Sequence, residues 1–134
     1  MILPNDTTVA VVDGERLRLF RNKAQEPHIK LVALETPDLV PEKSDSDSHH
    51  KNGGANPDGS RQDEERFAAA TTDHLNRQVL GGHISQLYVI ADPRTLGEMR
   101  RHYHGELKSR LIGELAKDFT AHPVEAIETA LLKA

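Results

Sequence analysis

From Glu35 to Ser60 the chain holds only two large apolar side chains, Leu39 and Val40, and is otherwise polar, with Pro, Ser, Asp, His and Gly prominent. Such a stretch has no apolar period. Its side chains cannot offset the roughly 1–2 kcal/mol per residue that fixing a backbone costs. It is expected to be a long flexible loop over about residues 37–60, and a loop of that length inside a compact domain is generally functional or disordered. Any core must therefore be assembled from the segments on either side. The whole chain is 134 residues, which suits one domain over 1–134 and leaves no room for a second core.

Before that stretch lie three strand signals. Thr7 to Val12 is a β-rich apolar run closed by Asp13-Gly14, a strong turn dipeptide. Arg16 to Phe20 alternates, with Leu17 and Leu19 facing one way and Arg16 and Arg18 the other. Ile29 to Leu34 reads as a third strand. The connections are too short for crossovers, so the three are expected to form an antiparallel meander.

After it the pattern alternates. A helix is expected from a cap at Ser60 or Asp63 to about Leu80, stopped by Gly81-Gly82. His83 to Ala91 is apolar on both faces, as a central strand requires. Asp92 followed by Pro93 reads as an N-cap and first helical position, opening a helix that carries Leu96, Met99 and Tyr103. Arg110 to Leu115 is a weaker strand, and Pro123 opens a last helix with Val124, Ile127 and Leu131 as its apolar stripe. The order β-β-β-α-β-α-β-α predicts an α/β fold with a single mixed sheet and helices packed on it, the ribonuclease-H-like arrangement.

Several functional classes are excluded by what the chain lacks. Without cysteine there is no disulfide, thiol catalysis, iron–sulfur cluster or cysteine-ligated zinc. The formal net charge of −4 argues against coating nucleic acid by bulk electrostatics, while leaving room for a local basic patch. No P-loop, dinucleotide fingerprint or nucleophile elbow is present, and no cofactor is expected. The N-terminus has no signal-peptide pattern, and no apolar run approaches the roughly 18 residues that span a bilayer. The expectation is a cytoplasmic protein without a membrane partner.

Three groups of residues are candidates for chemistry. Asp13, Asp92 and Glu64 or Glu65 would converge if the first and fourth strands are parallel neighbours, and clustered carboxylates of this kind bind hard divalent ions in nucleases. Each also obeys a local rule: Asp13 makes a turn, Asp92 caps a helix, and the glutamates favour a helix N-terminus. His49 and His50, with Asp45 and Asp47 near, and the pair His102 and His104, have imidazoles that could bind a transition metal, but the favoured reading is solvated polar residues, since ordering a flexible loop is costly; no metal is assigned. Arg94, Arg100, Arg101, Lys108 and Arg110 gather positive charge that would suit an RNA-facing patch or simply a solvated helix face.

Motifs spread along nearly the whole chain resemble the bacterial host-attachment protein family. They are the closing segment Leu111 to Thr120 followed by Pro123 and a short helix, the Asp13-Gly14 turn, the Arg-rich strand ending at Phe20, the charged helix start Gln62 to Phe67, and Asp92-Pro93 opening a helix. That family in turn resembles the middle domain of archaeal and eukaryotic peptide-chain release factors, whose long loop carries a catalytic Gly-Gly-Gln. Here the matching place reads Gly53-Gly54-Ala55. Ala55 has no amide to orient a water, so the resemblance implies no hydrolysis of peptidyl-tRNA. It implies a non-enzymatic binding module with the loop (Gly53, Gly54, Ala55, His49, His50) free to contact the ribosome, RNA or another protein, and an indirect role in attachment to host cells. The alternative is a divalent-metal-dependent nuclease or phosphoesterase using the carboxylates. The oligomeric state is left open.

Overall fold

The computed structural model describes residues 2–39 and 57–134, without the side chains of residues 57–60. Its strands and helices are β1 (Thr8–Val12), β2 (Leu17–Asn22), β3 (Leu31–Ala33), α1 (Pro57–Leu80), β4 (Leu87–Ala91), α2 (Pro93–Arg100), α3 (Gly105–Arg110), β5 (Leu111–Ala116) and α4 (Val124–Lys133). The strands form one mixed sheet in the order β3-β2-β1-β4-β5. β1 to β3 are the antiparallel meander, and β4 and β5 run parallel to β1.

The sheet's period of two sorts its residues onto two faces. Ala10, Val12, Leu17, Leu19, Leu87, Val89 and Ala91 pack against Ala68, Leu75 and Val79 of α1, Leu96 and Met99 of α2, and Leu107 of α3. Val9, Val11, Phe20, Tyr88 and Ile90 pack on the other side against Ile127 and Leu131 of α4. β1 and β4 are buried at every position, because helices cover both of their faces, and each fully buried aliphatic side chain contributes about 1.5–3 kcal/mol. Among the described residues, one face therefore has three helices over it and the other has one.

The structure departs from the sequence expectations at particular places. α1 begins at Pro57, ahead of the expected caps at Ser60 and Asp63; proline's fixed φ suits the first helical position, and the expected loop is shorter at that end. β3 is three residues long, not six, because Ile29 and Lys30 belong to the turn that follows β2, where the Lys23 amide donates to the Lys30 carbonyl at 2.8 Å. β2 runs on to Asn22, which is fully buried. The Asn22 amide nitrogen donates to the carbonyls of Leu3 and Pro4, and its oxygen accepts from the amides of Ala24 and Lys30, so one side chain ties three segments together. α2 stops at Arg100, leaving Tyr103 in the link to α3, an additional helix of six residues. The reading of residues 40–56 as a mobile stretch, and the candidates Asp45, Asp47, His49, His50, Gly53, Gly54 and Ala55, lie outside the described residues. Among the described residues no helix is long and apolar enough to cross a membrane.

Candidate functional site: an acidic cleft at the carboxyl ends of the parallel strands

In the parallel part of the sheet Val12 pairs with Ala91 and Ala91 with Ala116, so the residues that follow each strand emerge side by side. They form the floor of an open cleft of ≈ 530 Å³ lined by Asp13, Glu15, Glu64, Asp92 and Asp118, with Arg94 the one cation among its described lining residues. A crevice at the carboxyl ends of parallel strands is where α/β sheets usually bind ligands.

Four of the five carboxylates of this cleft, all but Glu15, are already engaged. Asp13 Oδ1 accepts from the amides of Glu15 at 2.8 Å and Arg16 at 2.6 Å, an Asx turn that reverses the chain between β1 and β2. Its Oδ2 accepts from the Thr120 hydroxyl at 2.6 Å and lies 3.5 Å from an Arg16 nitrogen. Burial pushes the Asp13 pKa up, but the Thr120 hydroxyl, the Glu15 and Arg16 amides and the Arg16 charge together outweigh it and hold the carboxyl below the usual aspartate value. Asp92 Oδ2 accepts from the Thr95 amide at 3.1 Å as the N-cap of α2. Asp118 Oδ1 accepts from the Thr120 amide at 3.1 Å and lies 2.9 Å from its hydroxyl. Thr120 has one hydroxyl hydrogen for two carboxylates, and the shorter distance favours Asp13. Glu64 lies 3.6 Å from an Arg94 nitrogen.

Gly14 lets the Glu64 side chain pass close to the turn. A Cβ on it would meet Glu64 Cγ at 2.7 Å, and the residue has no left-handed φ. Any side chain at this position would have to displace Glu64 of α1, a contact that the Asp-Gly dipeptide alone does not reveal.

The candidates from the sequence are thus partly gathered. Asp13, Asp92 and Glu64 line one cleft, whereas Glu65 is exposed on α1 and is not part of the lining. Among the described residues no three histidine, aspartate or glutamate side chains stand together as a metal-binding group. His102 Nε2 lies 3.0 Å from Glu98 Oε2, and His104 Nδ1 accepts from the Glu106 amide as the N-cap of α3, so the two imidazoles serve different local partners. The basic residues are largely offset by acids: Arg94 with Glu64 at 3.6 Å, Arg100 with Glu114 at 2.8 Å, Arg101 with Glu98 at 3.5 Å and Arg110 with Glu106 at 4.0 Å. Lys108 has no carboxylate partner among the described residues. Exposed pairs of this kind are weak, on the order of 0–1 kcal/mol, but they cancel the local excess of positive charge.

Sequence reasoning missed two polar hubs. Thr120, nearly buried, joins the β5–α4 link to the β1–β2 turn, and Arg18 strengthens that junction by donating to the carbonyls of Thr120 and His122. Glu114 of β5 takes Arg100 on one side and the Tyr103 hydroxyl on the other, at 2.8 Å each. Burial raises the Glu114 pKa, but the bonds from Arg100 and Tyr103 lower it further, to a net value below the ordinary one. Burial first, then the bond to Glu114, pushes the Tyr103 hydroxyl well above its ordinary value. Neither hub has a local sequence signal, since the partners sit on different elements.

With this geometry in hand, comparison with known proteins adds one relationship. A family model described as bacterial archaeo-eukaryotic release factor family 12 matches residues 6–131. No curated protein matches the chain.

Proposed function

The chain belongs to bacterial archaeo-eukaryotic release factor family 12, and from that premise we propose that it is a non-enzymatic binding module that associates with the ribosome. The observation that carries this reading is the use already made of the cleft's acids. Asp13 and Asp92 direct carboxylate oxygens at neighbouring backbone amides, and Glu64 faces Arg94, which supports a structural role over a catalytic one. The sequence supports the same reading from another direction. Gly53-Gly54-Ala55 precedes Pro57, the first residue of α1, as the Gly-Gly-Gln loop of release factors precedes a helix, and Ala55 replaces the glutamine. In this proposal the loop keeps its contacts with the ribosome and loses the chemistry. The strand order fits a ribonuclease-H-like domain, a scaffold that serves binding as readily as catalysis. Any influence on attachment to host cells is then indirect, through translation.

The test is sedimentation of the purified chain with ribosomes through a sucrose cushion at several salt concentrations. The expected result is pelleting that weakens as salt rises. Failure to pellet at every salt concentration removes the ribosome proposal. Release of peptide from peptidyl-tRNA by the purified chain removes the non-enzymatic one.

A further inference from the structure

On the sheet face that α4 alone covers among the described residues, cover runs out beside the edge strand β5. A groove of ≈ 320 Å³ opens there, floored by Leu115 and Phe119 on one side and by Ala126 and Ala130 of α4 on the other. These four residues are only half-buried. The groove exists because the α4 stripe next to the buried Ile127 and Leu131 carries alanines, whose side chains end at Cβ and cannot reach β5. Lys117 and Lys133 stand exposed at its rim, and neither has a carboxylate partner among the described residues. Among the described residues no aspartate or glutamate side chain lines the groove, which Thr129 and Ala134 complete, in a chain whose net charge is −4.

We propose that this groove docks an acidic amphipathic segment of a partner protein, with apolar side chains on the Leu115–Phe119–Ala126–Ala130 floor and carboxylates meeting Lys117 and Lys133. Charge complementarity selects this occupant. A helix laid in an apolar groove is a recurrent recognition mode, with affinity from buried anchors and orientation from rim charges. Recognition of an anionic lipid surface takes clusters of about 4–8 basic residues, and two lysines on an acidic chain do not supply one. Single-stranded RNA needs aromatic faces for its bases, and the groove's one aromatic ring, Phe119, stacks edge-on with His122 at a centroid distance of 4.7 Å. The proposal goes beyond the ribosome reading and does not depend on it.

The test is a titration of the isotope-labelled full chain, followed by amide chemical shifts, with a synthetic helical peptide carrying glutamates on both flanks of a leucine stripe. Shifts confined to the Leu115–Phe119 and Ala126–Lys133 segments are expected. The pair Lys117→Glu and Lys133→Glu should weaken binding about tenfold or more, with thermal unfolding unchanged. Ala130→Phe, which fills the groove from an already half-exposed position, should abolish binding while the folded spectrum is retained. The proposal is overturned by an absence of shifts at millimolar peptide, by shifts centred elsewhere, or by equal affinity for a peptide with lysine in place of glutamate. It is also overturned if phosphatidylglycerol vesicles or an RNA oligonucleotide produce the same localised shifts.

Discussion

The acidic cleft at the carboxyl ends of β1, β4 and β5 and the groove between β5 and α4 are opposites in charge and in wiring. Among the described residues the cleft concentrates five carboxylates around a single arginine, yet four of these acids are committed: to turn amides, to a helix cap, to the Thr120 amide and hydroxyl and to Arg94. The groove has fewer charged side chains, two lysines and, among the described residues, no aspartate or glutamate, and no salt bridge from these lysines to a described aspartate or glutamate is formed. A dense cluster of ionisable residues is therefore the part of this molecule that holds its loops in place. The sparse one is the part still able to take a partner. Charge density and available charge are different quantities, and hydrogen-bond geometry separates them.

The contrast can be broken in four ways. The largest effect is expected behind the groove, where Leu131 is fully buried between α4 and the sheet. Leu131→Ala should cost about 2–5 kcal/mol in denaturant unfolding, because α4 is the only helix packed on that face among the described residues. A loss below about 1 kcal/mol would mean that this face collapses around the gap and that the groove is not held open by a rigid α4.

Next in size is the hub of the cleft. Thr120→Val keeps the side-chain shape but removes the hydroxyl that Asp13 accepts from, and should cost about 1–2 kcal/mol near neutral pH. The same change has a pH signature. Asp13 is depressed in the folded protein, so the stability it contributes is fully present above the ordinary aspartate value and is lost as pH falls through its lower folded value. Thr120→Val should flatten that acid limb in a stability–pH series, although Glu114, depressed by Arg100 and Tyr103, retains a limb of the same sign. An unchanged acid limb would show that the hydroxyl does not govern the Asp13 carboxylate.

Asp92→Ala removes the N-cap of α2 and should cost about 0.5–2 kcal/mol. If Asp92 instead served chiefly to hold a divalent ion, added Mg²⁺ would stabilise the parent protein and not this variant; no Mg²⁺-dependent difference in melting is expected. The smallest effect belongs to the groove's rim. Lys117→Ala and Lys133→Ala should each change stability by no more than about 0.5 kcal/mol and leave the acid limb as it was. A larger loss would place these lysines inside the fold's own electrostatics and take away the contrast with the cleft.

The sequence by itself determined the alternation of elements, because period-two and period-3.6 patterns and the Asp92-Pro93 cap are local signals within one or two turns of chain. It also led to the expectation, from the element order, that β1 and β4 are parallel neighbours, and Val12 does pair with Ala91. It could not place β3's ends, α3 or Tyr103, because each depends on which distant surface is available to pack against. Asp13, Asp92 and Glu64 were legible as a group, but their engagement was not. Whether a carboxylate is a ligand or a tether depends on donors such as Thr120, more than a hundred residues away from Asp13 in sequence. The groove was invisible for the same reason. Ala126 and Ala130 read as good helix formers, and only the distance between α4 and β5 turns their missing side-chain atoms into a space that a partner can fill.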